Sequence, residues 1–245
     1  MGVFETILIV DASPVELEAH LERLSRSVRD LFGAEPPPGS RKFVLDRASP
    51  LALGRLRLTV APGPSGILGA DVVTAAVDPE DVFPAWERAI ALQPFVIDGG
   101  LGAHKWADRA MLASMESSMP ERCLPLLLDA GRGVLEASRA NVFAVEEEAL
   151  ITPAADGRIL PGVARARVIE AARALGIELR EEALSVDRLI AAGEAFVTGS
   201  VRGVEPIRSV GEAELEAPGE VIAEIAAEIK RIWLGKVAAR WSNAR

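Results

Sequence analysis

The sequence has few of the residues that disulfides and many metal sites require. Cys123 is the single cysteine, and 245 residues include two histidines. One cysteine excludes an internal disulfide and is typical of a reducing cytoplasm. So few thiol and imidazole groups also argue against a His/Cys metal site. We therefore expect a cytoplasmic protein with no resident metal ion.

Long apolar runs and an excess of basic residues are missing as well. No stretch offers the roughly 18 uncharged apolar residues that a membrane span requires. Residues 1–11 contain Glu5 and Asp11 and have no basic start, so they do not predict a signal peptide. The net charge of −9 argues against a nucleic-acid partner, since phosphate backbones are bound mainly by Lys and Arg. We expect neither a membrane nor a nucleic acid as a partner.

The apolar patterning predicts strands and helices that alternate along the chain. Strands are expected at 4–10, 42–46, 55–61, 71–77, 95–98, 124–128 and 133–137, in a hairpin with its turn at 146–148, and in a segment broken at Gly199–Ser200. Helices are expected from a capping box at 13–16 to Gly33, after Lys105, and at 163–175, 184–192 and 219–241. The alternation indicates an α/β or α+β fold.

A segment rich in proline and acidic residues, 77–89, is the best candidate for a boundary between two lobes. We therefore expect a small N-terminal lobe at 1–82, a linker region at 83–94 and a larger C-terminal lobe at 95–245. Lys105 would then belong to the larger lobe.

Lys105 is the lysine that has no easy interpretation as a solvated residue. Lys42 follows a loop rich in Pro and Gly, and Lys230 and Lys236 lie on a terminal amphipathic helix. The helix expected after Lys105 places it on the same inward face as Leu112, where a lysine is costly without a role. The positive end of the helix dipole would also lower the pKa of Lys105, which favours the neutral, nucleophilic amine. A surface lysine that extends into solvent is the alternative.

Other residues could complete a site for a charged cofactor. Glu136 lies in a strand between apolar residues, where a buried carboxylate needs a partner, and an edge-strand Glu that faces water is the alternative. The helix start at Val163–Ala164 offers backbone amides to an anion, the turn at Gly199–Ser200 offers more, and Arg23 could add a charge-assisted bond. A lysine, an acid and an anion site are what pyridoxal 5′-phosphate requires. The residues alone indicate an anion-binding α/β protein.

Several sequence blocks resemble the class IV aminotransferase family of fold-type IV pyridoxal-phosphate enzymes. The family signature is matched by E-A-S-R-A-N-V-F, L-I-T and I-L-P-G-V-A-R within 136–165. Further blocks follow the family order: F-E-T at 4–6, H-L-E-R-L at 20–24, H-K-W-A-D-R at 104–109 and T-G-S-V-R-G-V-E-P-I at 198–207. The resemblance covers nearly the whole chain.

The resemblance implies a homodimer of two-lobed α/β subunits, with pyridoxal 5′-phosphate between the lobes and each active site completed near the dimer interface. It implies that Lys105 is the Schiff-base lysine, Glu136 the acid on the pyridine nitrogen and Arg23 the phosphate-binding arginine. The residues that match the remaining phosphate contacts, and a structural asparagine beside them, are Val163, Ala164, Gly199, Ser200 and Asn141.

Three activities of the family compete: 4-amino-4-deoxychorismate lyase, branched-chain aminotransferase and D-amino-acid aminotransferase. The blocks at 104–109 and 199–203 look most like the lyase, which forms 4-aminobenzoate and pyruvate in folate biosynthesis. Thr6 matches a threonine near the reacting centre of the lyase. Arg202 could bind a carboxylate of the amine substrate, although a surface arginine after a strand fits equally well. A non-catalytic homologue that binds the cofactor or a partner is a third possibility.

The sequence departs from the family pattern in three places. It contains no tyrosine, so any family tyrosine is lost or replaced. It begins at the strand 4–10, so we expect the N-terminal strand usual in the family, with its pocket aromatic, to be missing. The segment T-V-A-P-G at 59–63 lacks the Arg-Gly pair often found there.

Overall fold

The structure, a computed structural model, describes residues 1–131 and 133–235. The described residues form two compact units, one of Met1–Pro79, His104–Arg109 and Trp233–Gly235, the other of Glu80–Ala103 and Ala110–Ile232. Lys105 thus clusters with the N-terminal residues, and a strand begins inside the expected linker. Because compactness alone does not define domains that fold independently, the lobe boundaries given above stay a prediction.

The described part of the chain contains both helices and strands, which confirms the α/β class. The helices are α1 (Leu17–Phe32), α2 (Ser40–Ala48), α3 (Ala110–Ser117), α4 (Val163–Leu175), α5 (Val186–Ala191) and α6 (Glu220–Leu234). The strands are β1 (Val3–Val10), β2 (Ser13–Pro14), β3 (Leu53–Pro62), β4 (Leu68–Ala76), β5 (Ile90–Val96), β6 (Cys123–Asp129), β7 (Gly133–Ala137), β8 (Asn141–Glu146), β9 (Ala149–Thr152), β10 (Leu179–Glu181), β11 (Glu194–Gly199), β12 (Gly203–Val210) and β13 (Ala213–Glu214). Short 3₁₀ turns lie at Pro79–Asp81 and Trp86–Arg88. No helix among the described residues is both long and apolar enough to cross a membrane.

The first unit is built on an antiparallel sheet in the order β2-β1-β3-β4. Side chains alternate across a strand, so Val3 and Ile7 of β1 share a face with Leu56 and Leu58 of β3. The apolar stripe of α1 packs on this face, as its 3.6-residue spacing predicts. The expected end of α1 at Gly33, which adopts a φ of 62°, is confirmed.

The second unit is built on a mixed sheet in the order β10-β9-β8-β11-β12-β5-β6-β7, with β13 beside β12. Leu126 and Leu127 are neighbours on β6, and their side chains point to opposite faces of the sheet. Each packs in a separate group of buried apolar residues, so both faces of the sheet are covered there. The hairpin of β8 and β9 turns at Glu147 and Glu148, both with positive φ, as expected from the sequence. The segment predicted to break at Gly199 is an antiparallel pair, β11 and β12.

Two local predictions in the first unit are wrong. Residues 42–46 lie in α2 rather than in a strand, because the short apolar run buries Val44 and Ala48, four residues apart, on one helix face. The predicted capping box does not form either. Ser13 pairs with Val10 in β2, and α1 begins only after Glu16, which has a left-handed conformation with a φ of 53°.

The helix expected to start at Lys105 begins at Ala110 instead, so no helix dipole acts on the lysine from its own position. Residues 105–107 run beside β1, a long-range pairing that the local pattern does not encode. The helix predicted at 163–175 is confirmed as α4. The last predicted helix is confirmed as far as Leu234, and residues 236–241 lie outside the described residues.

Candidate active site

A buried ionic cluster joins β1 to α1 in the first unit. Glu5 lies on the inward face of β1, and His20 and Arg23 follow each other by three residues on the inward side of α1. His20 Nδ1 lies 2.7 Å from Glu5 Oε2, and Arg23 Nε donates to Glu5 Oε1 at 2.8 Å. Glu5 is 1% exposed. The carboxylate thus fixes the orientation of the Arg23 guanidinium through paired, charge-assisted bonds.

The titration of this cluster is set by burial and by the partners together. Burial opposes ionisation of Glu5, but the charge of Arg23 and the hydrogen bonds from His20 and Arg23 outweigh it and lower the pKa of Glu5 to about 2. Burial lowers the pKa of His20, although its hydrogen bond to Glu5 acts in the opposite direction. The cluster is therefore a buried carboxylate–guanidinium pair with a neutral imidazole at neutral pH.

We expect the free energy of unfolding to fall in two stages as the pH is lowered. The unfolded chain binds a proton at His20 before the folded chain does, so stability is lost as the pH falls below 6.5. Glu5 stabilises the fold above pH 4.5, and that contribution is lost between pH 4.5 and about 2. Urea unfolding of the wild type and of His20→Asn across this range checks the first stage. An equally steep decline below pH 6.5 in the variant would contradict it.

The backbone around Lys105 is fixed against β1. Phe4 N donates to Lys105 O at 2.9 Å, and Ala107 N donates to Gly2 O at 2.8 Å. Lys105 Nζ lies 4.9 Å from the centre of the Phe4 ring. His104, next in the chain, places Nδ1 3.0 Å from Ser27 Oγ on α1. These contacts hold a half-buried amine at a defined place, which a residue that reacts with an aldehyde requires.

Thr6 lies on the face of β1 opposite the buried ionic cluster. Successive side chains alternate, so Thr6 shares its face with Phe4, whose ring contacts the Lys105 amine. Its cross-strand partner on β3 is Arg57. The first unit thus has the predicted threonine on the sheet face from which the Phe4 ring contacts the predicted lysine.

Glu136 lies on β7 in the second unit, and it is buried rather than facing water. It is 6% exposed, and its Oε2 accepts hydrogen bonds from Leu160 N at 3.2 Å and Asn141 Nδ2 at 3.3 Å. Asn141 Nδ2 also donates to Leu160 O at 3.0 Å. Asn141 therefore ties the acid to the segment that precedes α4.

The start of α4 supplies an anion-binding element next to this acid. Gly162 precedes the helix, and no side chain in the described chain caps it. The first backbone hydrogen bond of the helix runs from Ala166 N to Gly162 O. The N–H groups of Val163 and Ala164 therefore make no hydrogen bond within the helix and can point toward an anion. A Cβ on Gly162 would collide with Asn141 Oδ1. The glycine is thus required for the close approach of Asn141 to the helix start.

The turn after β11 lies at the same end of the sheet. Thr198 of β11 is the cross-strand partner of Asn141 on β8, and Gly199 follows directly. Ser200 lies in the turn that leads to β12. Within the second unit, the structure therefore brings Glu136, the α4 start and the Gly199–Ser200 turn together around Asn141.

Arg202 is engaged by acidic partners of its own unit. Its Nη1 lies 2.7 Å from Glu205 Oε1, and its Nη2 lies 3.3 Å from Asp81 Oδ2. Burial raises the pKa of Glu205, against the opposing charges of Arg202 and Arg122. The substrate contact suggested for Arg202 stays a prediction, and a ligand there would compete with these carboxylates.

Two residues with a place in these clusters were missed from the sequence. Glu5 lies two residues from Val3 and two from Ile7, so it shares a strand face with both. This spacing in the sequence indicates an acid on a face that packs against the core. Arg57 carried no signal, because only the pairing of β1 with β3 places it beside Thr6.

The residues present fit pyridoxal 5′-phosphate. The Lys105 amine can hold its aldehyde, the buried Glu136 carboxylate suits a protonated ring nitrogen, and the α4 start suits its phosphate. Among residues 1–131 and 133–235, no group of three or more His, Cys, Asp or Glu side chains is arranged to hold a metal ion.

Comparison with known proteins assigns the family. The profile of amino-transferase class IV matches residues 2–210, so the chain belongs to this family of pyridoxal-phosphate-dependent enzymes. Its cofactor is pyridoxal 5′-phosphate. The branched-chain-amino-acid aminotransferase of Salmonella typhimurium is 29% identical over 179 residues, which are 73% of this chain and 52% of that protein. The chain spans about half the length of the curated relatives it matches first.

Two solved structures share the fold at 22% sequence identity. One is the 4-amino-4-deoxychorismate lyase from Pseudomonas aeruginosa, with a TM-score of 0.78 over 94% of this chain and 90% of that chain. The other is a hypothetical aminotransferase from Mycobacterium tuberculosis in its PLP-bound form, with a TM-score of 0.82 over 95% and 89%. These likenesses confirm the expected fold-type IV architecture.

Proposed function

We propose that this protein is a pyridoxal-phosphate-dependent lyase that converts 4-amino-4-deoxychorismate to 4-aminobenzoate and pyruvate. The observation that carries the proposal is the position of Thr6, a hydroxyl on the sheet face where the Phe4 ring contacts the Lys105 amine. A lyase needs a group that can position or protonate its leaving group, whereas a transaminase retains the substrate carbon skeleton. The lyase structure from Pseudomonas aeruginosa supports the shared fold.

Each residue has a separate part in this proposal. Lys105 Nζ would hold the cofactor aldehyde, and the same amine would act as the general base toward the proton on substrate C4. Glu136 keeps the proton on the ring nitrogen, and Asn141 orients the Glu136 carboxylate. The phosphate is bound by the residues Arg23, Val163, Ala164, Gly199 and Ser200. When bound, the cofactor withdraws the electron pair of the broken C–H bond into its ring.

Thr6 would donate a proton to the departing enolpyruvyl group, and loss of that group makes the product ring aromatic. The amine substrate carries carboxylates, so cationic side chains are expected near it. The cytoplasmic location and the homodimer suggested by the sequence remain predictions.

A branched-chain or D-amino-acid aminotransferase is the second candidate. The relative from Salmonella typhimurium is a branched-chain aminotransferase, and this observation favours the first of the two. Both reactions would use the same lysine, acid and phosphate contacts, so the substrate contacts must distinguish them.

We expect purified holoprotein to release 4-aminobenzoate and pyruvate in equal amounts from 4-amino-4-deoxychorismate. Thr6→Val is expected to lower this turnover by about 10²-fold, because it removes a proton donor and keeps the shape of the side chain. Thr59→Val, on the neighbouring strand and the same sheet face, is the matched control. Transfer of an amino group from leucine to 2-oxoglutarate without any 4-aminobenzoate would contradict the lyase proposal and support the second candidate.

A further inference from the structure

The side chain and backbone of Arg158 join three segments of the second unit. Arg158 Nη1 donates to Oδ2 of Asp129, the last residue of β6, at 2.8 Å. Arg158 Nε and Nη2 donate to Asp156 Oδ2 at 3.0 and 2.7 Å. The hydrogen bond from Arg158 lowers the pKa of Asp156, so this pair stays ionised at neutral pH. Charge-assisted bonds therefore fix the guanidinium both to the end of β6 and to its own turn.

The backbone of Arg158 lies against the glycine-rich segment 99–102. Gly102 N donates to Arg158 O at 3.2 Å. Gly100 has a φ of 69°, and a Cβ at this position would collide with Arg158 O. Ile159, the next residue, is 1% exposed in the apolar core. Residues 158 and 159 are therefore held on two sides, by the segment 99–102 and by the core.

Leu160, two residues after Arg158, donates to the Glu136 carboxylate. Leu160 N lies 3.3 Å from Glu136 Oε1 and 3.2 Å from Oε2, and Asn141 Nδ2 lies 3.3 Å from Oε2. These distances are at the long end of the range for N–H···O bonds, so a small displacement of Leu160 would break both of its bonds. A backbone N–H that donates to a buried carboxylate favours the ionised form. An ionised and oriented carboxylate is the form that pairs with a protonated ring nitrogen.

We propose that Arg158 is a positioning residue for Glu136. Its two carboxylate partners hold the turn before Leu160 in place, so Leu160 N stays against the Glu136 carboxylate. The protein can then bind the protonated ring nitrogen of the cofactor tightly through Glu136. Arg158 acts through the backbone in this account and makes no contact of its own with the cofactor. The inference rests on the proposed function, because it takes Glu136 as the partner of the ring nitrogen.

The test compares two cofactors that differ only at the ring nitrogen. The full chain is stripped of cofactor and titrated with pyridoxal 5′-phosphate or with its 1-deaza analogue, in which a C–H group replaces the nitrogen. Dissociation constants are measured from the quenching of tryptophan fluorescence. The variants are Arg158→Gln and Arg158→Lys, with Glu136→Gln as the reference for loss of the acid. The matched control is Arg180→Gln, since Arg180 also pairs with an acid two residues earlier, Glu178, at 2.7 Å.

We expect Arg158→Gln to raise the dissociation constant of pyridoxal 5′-phosphate by about 5- to 20-fold, and Glu136→Gln to raise it by about 10- to 100-fold. The 1-deaza analogue should change by less than about twofold in both variants, because it has no ring nitrogen for the acid to bind. Arg158→Lys should fall between the wild type and Arg158→Gln, since an ammonium keeps the charge but loses the paired bonds. Arg180→Gln should stay within about twofold of the wild type for both cofactors.

Several results would overturn the inference. An equal loss for both cofactors in Arg158→Gln would mean that the arginine only stabilises the fold, and unchanged binding of both would mean that it does not position the acid. If Arg158→Gln does not fold, Asp129→Asn replaces it with the same expected preference, because it removes one partner of the guanidinium.

Failure of the inference and failure of the proposed function can be told apart. If Glu136→Gln weakens pyridoxal 5′-phosphate selectively but Arg158→Gln does not, the inference alone fails. If Glu136→Gln affects both cofactors equally, or neither, the proposed part of Glu136 fails and the inference fails with it. A wild type that binds neither cofactor would contradict the proposed function as a whole.

Discussion

Replacing Lys105 with alanine is expected to remove the covalently held cofactor and to lower turnover by about 10³-fold or more. The same amine is proposed to hold the cofactor aldehyde and to move the substrate proton, so one substitution removes two functions. The amine is positioned by the pairing of its backbone with β1, and alanine leaves that pairing intact. We therefore expect the variant to fold and to lose the visible absorption that borohydride bleaches in the wild type.

Lys42→Ala is the matched control for this experiment. Lys42 is an exposed lysine on α2 that pairs with Asp46 four residues later, and such pairs contribute little to stability. The control should keep the cofactor band and full turnover. A Lys105→Ala protein that keeps a band sensitive to borohydride would show that another amine holds the cofactor. A colourless wild type that no added cofactor can reconstitute would support a non-catalytic homologue.

Replacing Glu5 with glutamine is expected to lower the free energy of unfolding by about 3–5 kcal/mol. The amide keeps the shape of the side chain but removes the negative charge that pairs with the buried Arg23 guanidinium. The cost of an uncompensated buried charge exceeds that of a lost surface contact. Because Arg23 is the proposed phosphate ligand, weaker binding of the cofactor is expected as well.

Glu18→Gln on α1, the helix that carries Arg23, is the matched control for the buried pair. Glu18 pairs with Arg41 at 2.8 Å, but both side chains are more than half exposed, so we expect a loss below about 1 kcal/mol. Urea unfolding of both variants at neutral pH gives the comparison. Equal losses in the two variants would show that burial adds nothing to the Glu5–Arg23 pair.

The sequence predicted elements whose signals are local. The stripe on α1 repeats with the helical period and ends at a glycine, and the start of α4 follows a Pro-Gly pair. The hairpin of β8 and β9 was readable from the acidic turn that separates two apolar runs. In each case the residues that define the element lie close together in the sequence.

Features that depend on distant pairing could not be predicted in the same way. Lys105 lies beside β1 rather than at a helix start, because residues about a hundred positions apart form the backbone bonds. For Glu136, the sequence allowed both burial and exposure. The carboxylate is buried because Leu160 N and Asn141 Nδ2, which both come later in the chain, donate hydrogen bonds to it. The placement of Arg57 likewise required the register of β1 against β3.

The most direct test of the central claim is to locate the cofactor on the chain. The holoprotein is reduced with borohydride, digested with trypsin and mapped by mass spectrometry. We predict that the phosphopyridoxyl group is found on Lys105, within an uncleaved peptide 89–109, since a modified lysine resists trypsin. Modification of Lys42, Lys230 or Lys236 with Lys105 unmodified would contradict the account.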